Sequence, residues 1–143
     1  MPGMKKIYWM AGVAAVACAF LLRPSFLRAQ GAAGEYPNLS PAEARETIAK
    51  RSGDPGFVLL DVRTPEEFNK ERIDGAVMVD YLSPSFRDEM AKLDRRKTYL
   101  IYCRTGNRTN GAAKVMRELG FPNVSVFPGG ITKWKEAGFP TAR

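Results

Sequence analysis

The chain contains no histidine and only two cysteines among its 143 residues. The first absence excludes a Cys–His catalytic pair and any His-ligated metal site, so no metal or cofactor is expected. One cysteine, Cys18, lies in an apolar N-terminal run, which leaves Cys103 as the single thiol of the remainder. An internal disulfide is therefore excluded there, and an odd cysteine in an exported protein is a reactive thiol or an intermolecular bridge. Acid is missing from the beginning of the chain: none of the 15 Asp and Glu residues precedes residue 31, whereas Lys5, Lys6, Arg23 and Arg28 do. From residue 32 onward 18 basic residues face 15 acidic ones. That excess is too small and too scattered for a nucleic-acid surface, so no nucleic-acid partner is expected.

Long apolar runs are scarce as well. The longest, Ile7 to Leu22, is sixteen residues, slightly short of the ~20 needed to span a bilayer. Preceded by Lys5-Lys6 and followed by the small residues Ala29, Gly31, Ala32 and Ala33, it has the pattern of a secretory signal. Residues 1–31 are expected to be a signal peptide that exports the protein to the periplasm or the extracellular space. The alternative is an uncleaved anchor that tethers it to the membrane through residues 7–22. Residues 32–143 then form one domain of ordinary size.

What is present alternates. Ser40-Pro41-Ala42-Glu43 and Thr64-Pro65-Glu66-Glu67 each combine an N-cap, a proline at the first helical position and a capping-box acid. Helices are predicted from these to about Arg51 and over a short segment including Phe68. Ser83-Pro84 predicts a third helix, to about Leu93. Strands are predicted at 57–60, 76–79, 99–102 and 124–127, where β-branched and aromatic residues cluster between turn signals. A helix ending at Gly120 and a last one containing Trp134 complete the series. Connections too long for hairpins make this an α/β pattern, with a mainly parallel central sheet and helices on both faces.

Ligands of such sheets sit beyond the carboxyl ends of the strands. Cys103-Arg104-Thr105-Gly106-Asn107-Arg108 stands there, between the run Tyr99 to Tyr102 and a helix with Ala112, Val115, Met116 and Leu119 on one face. A helix N-terminus supplies unpaired N–H groups and a positive dipole end. Both favour thiolate, the nucleophilic form of cysteine. Gly106 lets successive N–H groups converge on an anion, and Arg104 and Arg108 add positive charge. Asp61 ends the strand at 57–60 and lies at the same edge.

Taken together with Leu59-Leu60-Asp61-Val62-Arg63-Thr64-Pro65-Glu66-Glu67-Phe68, Ile73-Asp74-Gly75-Ala76, Gly129-Gly130 and Trp134-Lys135-Glu136-Ala137-Gly138-Phe139-Pro140, this loop makes the chain resemble the rhodanese, or thiosulfate sulfurtransferase, family. The likeness runs from about Tyr36 to Thr141, with Arg72 where the family often has histidine. It implies a rhodanese-like fold and a double displacement. Cys103 would take a sulfane sulfur from thiosulfate or a similar small anionic donor and pass it, as a persulfide, to a thiol or to cyanide. Residues 104 to 108 (Arg104, Thr105, Gly106, Asn107 and Arg108) would bind the substrate, and Asp61 and Arg63 would brace the pocket. Two other readings stand beside it. One is a non-catalytic persulfide carrier or interaction module of the same fold. The other is a phosphatase or arsenate reductase, whose cradles resemble Cys, five residues and Arg; here Arg108 follows Cys103 after four, a loop one residue short for a tetrahedral phosphate.

Overall fold

The structure, a computed structural model, describes residues 35–143. The signal or anchor expected for residues 1–31 lies outside the described residues. The elements follow in the order α1 (Pro41–Lys50), β1 (Phe57–Asp61), α2 (Pro65–Lys70), β2 (Val77–Met78), α3 (Phe86–Ala91), β3 (Thr98–Tyr102), α4 (Asn107–Glu118), β4 (Val124–Phe127) and α5 (Gly130–Glu136).

The four strands form one parallel sheet in the order β2-β1-β3-β4. β1 and β3 occupy its centre, with Leu59 opposite Leu100 and Asp61 opposite Tyr102. Both are apolar along their length because both faces of the sheet are covered. Successive side chains of a strand point to opposite faces, and the core divides accordingly. Leu60, Tyr99 and Ile101 pack with Phe86 and Met90 of α3 and Ala112, Ala113 and Met116 of α4. Leu59, Leu100 and Tyr102 pack on the other face with Ala44 of α1 and Ile131 and Trp134 of α5.

The two Ser/Thr-Pro-x-Glu signals act as capping boxes. Ser40 and Thr64 each accept from the N–H of the residue three positions on, and Glu43 and Glu67 reach back to the cap N–H. Ser83-Pro84 behaves differently. Ser83 Oγ accepts from the N–H of Ser85, and the Ser83 carbonyl accepts from Phe86. The serine is thus used in a turn, and the helix begins at Phe86 and ends at Ala91, shorter at both ends than its sequence suggests. The strand expected at 76–79 is likewise reduced to Val77–Met78, at the edge of the sheet. Before α1, Leu39 N–H donates to the Val126 carbonyl at 2.8 Å, and Val126 N–H donates to Pro37 at 2.8 Å. This extended segment pairs beside β4, a pairing that its polar, proline-containing sequence does not announce.

Candidate active site

β3 delivers Cys103 to the carboxyl end of the sheet, and the chain must turn into α4 within three residues. Gly106 makes that turn with φ 102°, in the left-handed region. A side chain there would also overlap the Pro128 carbonyl oxygen, so glycine is required twice over. The turn brings the Gly106 N–H to 3.0 Å from Cys103 Sγ, a hydrogen bond to the sulfur. Cys103 is 1% exposed. Arg104, Thr105 and Asn107 lie on the exposed rim, with Gly106 buried beneath them.

A second backbone holds the loop from behind. The N–H groups of Ile131 and Thr132, in α5, donate to the carbonyls of Cys103 at 3.0 Å and Arg104 at 3.2 Å. Gly130 permits this approach. Its φ is 58°, and a Cβ would overlap both carbonyl oxygens.

Arg108 sits in the first turn of α4, with its guanidinium forked onto Glu67 of α2 at 2.6 and 2.9 Å. Such bidentate, charge-assisted pairs fix orientation as well as adding energy. Glu67 Oε2 also accepts from Thr64 N–H and Thr64 Oγ1, both at 3.1 Å. Arg108, more than any other neighbour, holds the Glu67 carboxyl down at about 2. Sequence reasoning assigned Glu67 to the capping box and missed its second partner 41 positions away. A second residue it missed is Thr109, also in this first turn. Thr109 is fully buried, and its hydroxyl has no hydrogen-bond partner among the described residues.

Asp61 and Arg63 are brought together with each other rather than beside the thiol. The Arg63 guanidinium makes three contacts of 2.6 to 3.0 Å to the Asp61 carboxylate, and Arg63 N–H makes a fourth at 2.9 Å. Arg63 Nη2 also donates to the Glu71 carbonyl at 2.6 Å, tying the end of β1 to the end of α2. Both residues are buried. Next to them, burial first and the Asp61 charge second push the Tyr102 phenol up, so it stays neutral and accepts from Ile73 N–H at 3.1 Å.

Two cavities open near the sheet. One, about 340 Å³, is lined by Ile48, Phe57 and Trp134 among others and includes the amino end of β1, away from the thiol. The other, about 430 Å³, includes Arg63, Glu67, Arg104, Ile131 and Thr132, the residues that flank and pin the cysteine loop. The chemistry selects the second.

A parallel α/β domain with a shielded thiol at a strand end, N–H groups aimed at it and an arginine fixed in the next helical turn belongs to the thiol-dependent anion-handling proteins. Residues 43–137 match the sequence model of the Rhodanese-like domain, and the chain belongs to that family. It is 32% identical over 102 residues to an uncharacterized protein of Synechocystis, covering 70% of this chain and 55% of that protein. The chain thus spans about half of that relative's length. The thiosulfate:glutathione sulfurtransferase of Saccharomyces cerevisiae is 33% identical over 96 residues, covering 59% of this chain and 69% of that protein. The crystal structure of a rhodanese-related protein from Thermoplasma volcanium superposes with a TM-score of 0.63 at 30% identity, over 75% of this chain and 98% of that one. The family is therefore one with sulfurtransferase-named members, and the fold agrees with the expected mainly parallel α/β architecture.

Proposed function

We propose that the protein is a thiosulfate sulfurtransferase that works through a persulfide on Cys103. The observation that carries this is the 3.0 Å hydrogen bond from Gly106 N–H to Cys103 Sγ, at the opening of a twelve-residue helix. With no histidine in the chain, the thiolate is favoured by backbone N–H groups and the helix dipole rather than by a side-chain base.

The Cys103 thiolate attacks the outer sulfur of thiosulfate. The Cys103 S–S bond forms, the bond from that sulfur to the sulfite moiety breaks, and sulfite leaves with the electron pair. A thiol or cyanide then takes the outer sulfur and restores the thiolate. Splitting the transfer in this way predicts ping-pong kinetics. The same N–H groups stabilise thiolate and persulfide in turn, as an oxyanion hole does. A thiol only 1% exposed suits a small, narrow donor better than a bulky one.

Intact-mass measurement after thiosulfate treatment tests the reading. The protein should gain one sulfur atom, lose it on addition of cyanide and turn over repeatedly. Cys103→Ser should gain none and turn over nothing while keeping its fold, because no disulfide depends on that thiol. Turnover by the Ser variant would overturn the mechanism. Loading without turnover would favour a persulfide carrier. Export remains part of the proposal: the mature protein recovered from producing cells should lack residues 1–31, and a full-length, membrane-bound product would show retention as an anchor instead.

A further inference from the structure

The cavity of about 430 Å³ beside the cysteine loop has an uneven set of charges. Three carboxylates line it, and each already has a cation. Glu67 is forked by Arg108, Glu71 is bridged by Lys135 at 2.8 Å and also accepts from Thr141, and Glu136 is bridged by Lys133 at 2.6 Å. Of the lining cations, Arg63 is matched by Asp61 and Lys135 by Glu71. Lys70 and Arg104 are left, and neither has a carboxylate within salt-bridge distance among the described residues. The cavity therefore presents two uncompensated positive charges. Its wall is also the loop itself, since Ile131 and Thr132 line it while holding the Cys103 and Arg104 carbonyls. Its volume falls within the range of small-molecule sites.

We propose that this cavity is the acceptor subsite and that the acceptor is a small thiol carrying carboxylate groups, held by Lys70 and Arg104 while its sulfur reaches Cys103. The proposal rests on the persulfide reading above and adds the acceptor's charge class. In the transfer, the acceptor thiolate R–S⁻ attacks the outer sulfur of the Cys103 persulfide. The new S–S bond gives R–S–SH, the persulfide bond breaks, and Cys103 leaves as thiolate. No external oxidant or reductant enters. Lys70 is exposed on α2 and makes no hydrogen bond to another side chain, so its function is separable from folding.

The test loads Cys103 with sulfur from thiosulfate and follows discharge of the persulfide by mercaptosuccinate, thioglycerol and cysteamine, compared at equal thiolate concentration. Mercaptosuccinate should be at least tenfold more efficient than thioglycerol, with cysteamine last, and its advantage should shrink as salt is raised. Lys70→Gln should lower the efficiency of mercaptosuccinate about fivefold, and Lys70→Arg should restore most of it. Both variants should keep the wild-type rate of loading and of discharge by cyanide. Equal efficiency of the three thiols in a protein that loads and discharges to cyanide would overturn the acceptor assignment alone. A slower loading step in Lys70→Gln would move the cavity to the donor and overturn it too. Failure to load at all would overturn the persulfide reading and this proposal with it.

Discussion

Glu67 joins three parts of the molecule through one carboxylate: the Thr64 cap, the first turn of α2 and the Arg108 guanidinium of α4. Its folded-state pKa, about 2, lies below the ordinary 4.5, chiefly because of Arg108. A depressed carboxyl contributes stability that is fully present above its unfolded value and is lost as pH falls through the folded one. Glu67→Gln should therefore lower unfolding free energy at pH 7 by about 1–2 kcal/mol, a partly buried bidentate pair being worth more than a surface one. The gap between variant and wild type should close as pH falls from about 4.5 to about 2. Urea unfolding across that range measures both. Arg108, released from its fork, should also serve an anionic donor less well, lowering kcat/KM for thiosulfate roughly tenfold. An unchanged value would show that Arg108 acts on the fold alone.

Two strand-to-helix junctions, β3–α4 and β4–α5, meet backbone to backbone at the element scale, and a glycine in each makes the meeting feasible. Gly106 clears the Pro128 carbonyl, and Gly130 clears those of Cys103 and Arg104. Gly130→Ala forces a left-handed backbone on a residue with a Cβ and drives that atom into two immobile carbonyl oxygens. The expected loss is about 2 kcal/mol or more, read as a lower urea midpoint. Persulfide loading should slow at the same time because the loop is pushed off α5. A variant with wild-type loading would mean that α5 does not position the thiol. The sequence announces both glycines as turn formers, but nothing local says that they face each other. The same limit explains what was and was not legible. Local signals carried the capping boxes at Ser40 and Thr64, the Gly120 C-terminus and the strand–Cys–helix order, since each is decided within a few residues. The Arg108–Glu67 fork and the strand-like pairing of residues 37–39 with Val126 depend on partners 40 to 90 positions away, beyond any local pattern. Ser83 failed as a cap because the next serine, Ser85, competed for its oxygen.

The absence of histidine returns at the scale of the whole molecule as a statement about pH. No side chain present has an ordinary pKa between 5 and 8. The carboxyls the fold perturbs all move one way. Glu43, Asp54, Glu71 and Glu118 are lowered, chiefly by hydrogen bonds from Ser40, Gly56, Lys135 and Arg87 respectively, and Arg96 holds Asp94 at about 2 as Arg108 holds Glu67. Each contributes stability above its unfolded value and loses it as pH falls toward the folded one, so the unfolded chain binds more protons throughout the acid range. Unfolding free energy should thus be flat from about pH 5.5 to 8, decline below about 4.5 and keep falling to about 2. Sulfur transfer need not follow it. A change in turnover between pH 6 and 8 that leaves stability untouched is then assigned to the reacting thiols, Cys103 and the acceptor, because nothing else in the fold titrates there. Urea midpoints and persulfide discharge rates measured on one pH series separate the two. A stability change of more than about 1 kcal/mol between pH 5.5 and 8 would place a displaced ionisable group inside the fold, and a pH-dependent rate could then no longer be assigned to the sulfur chemistry alone.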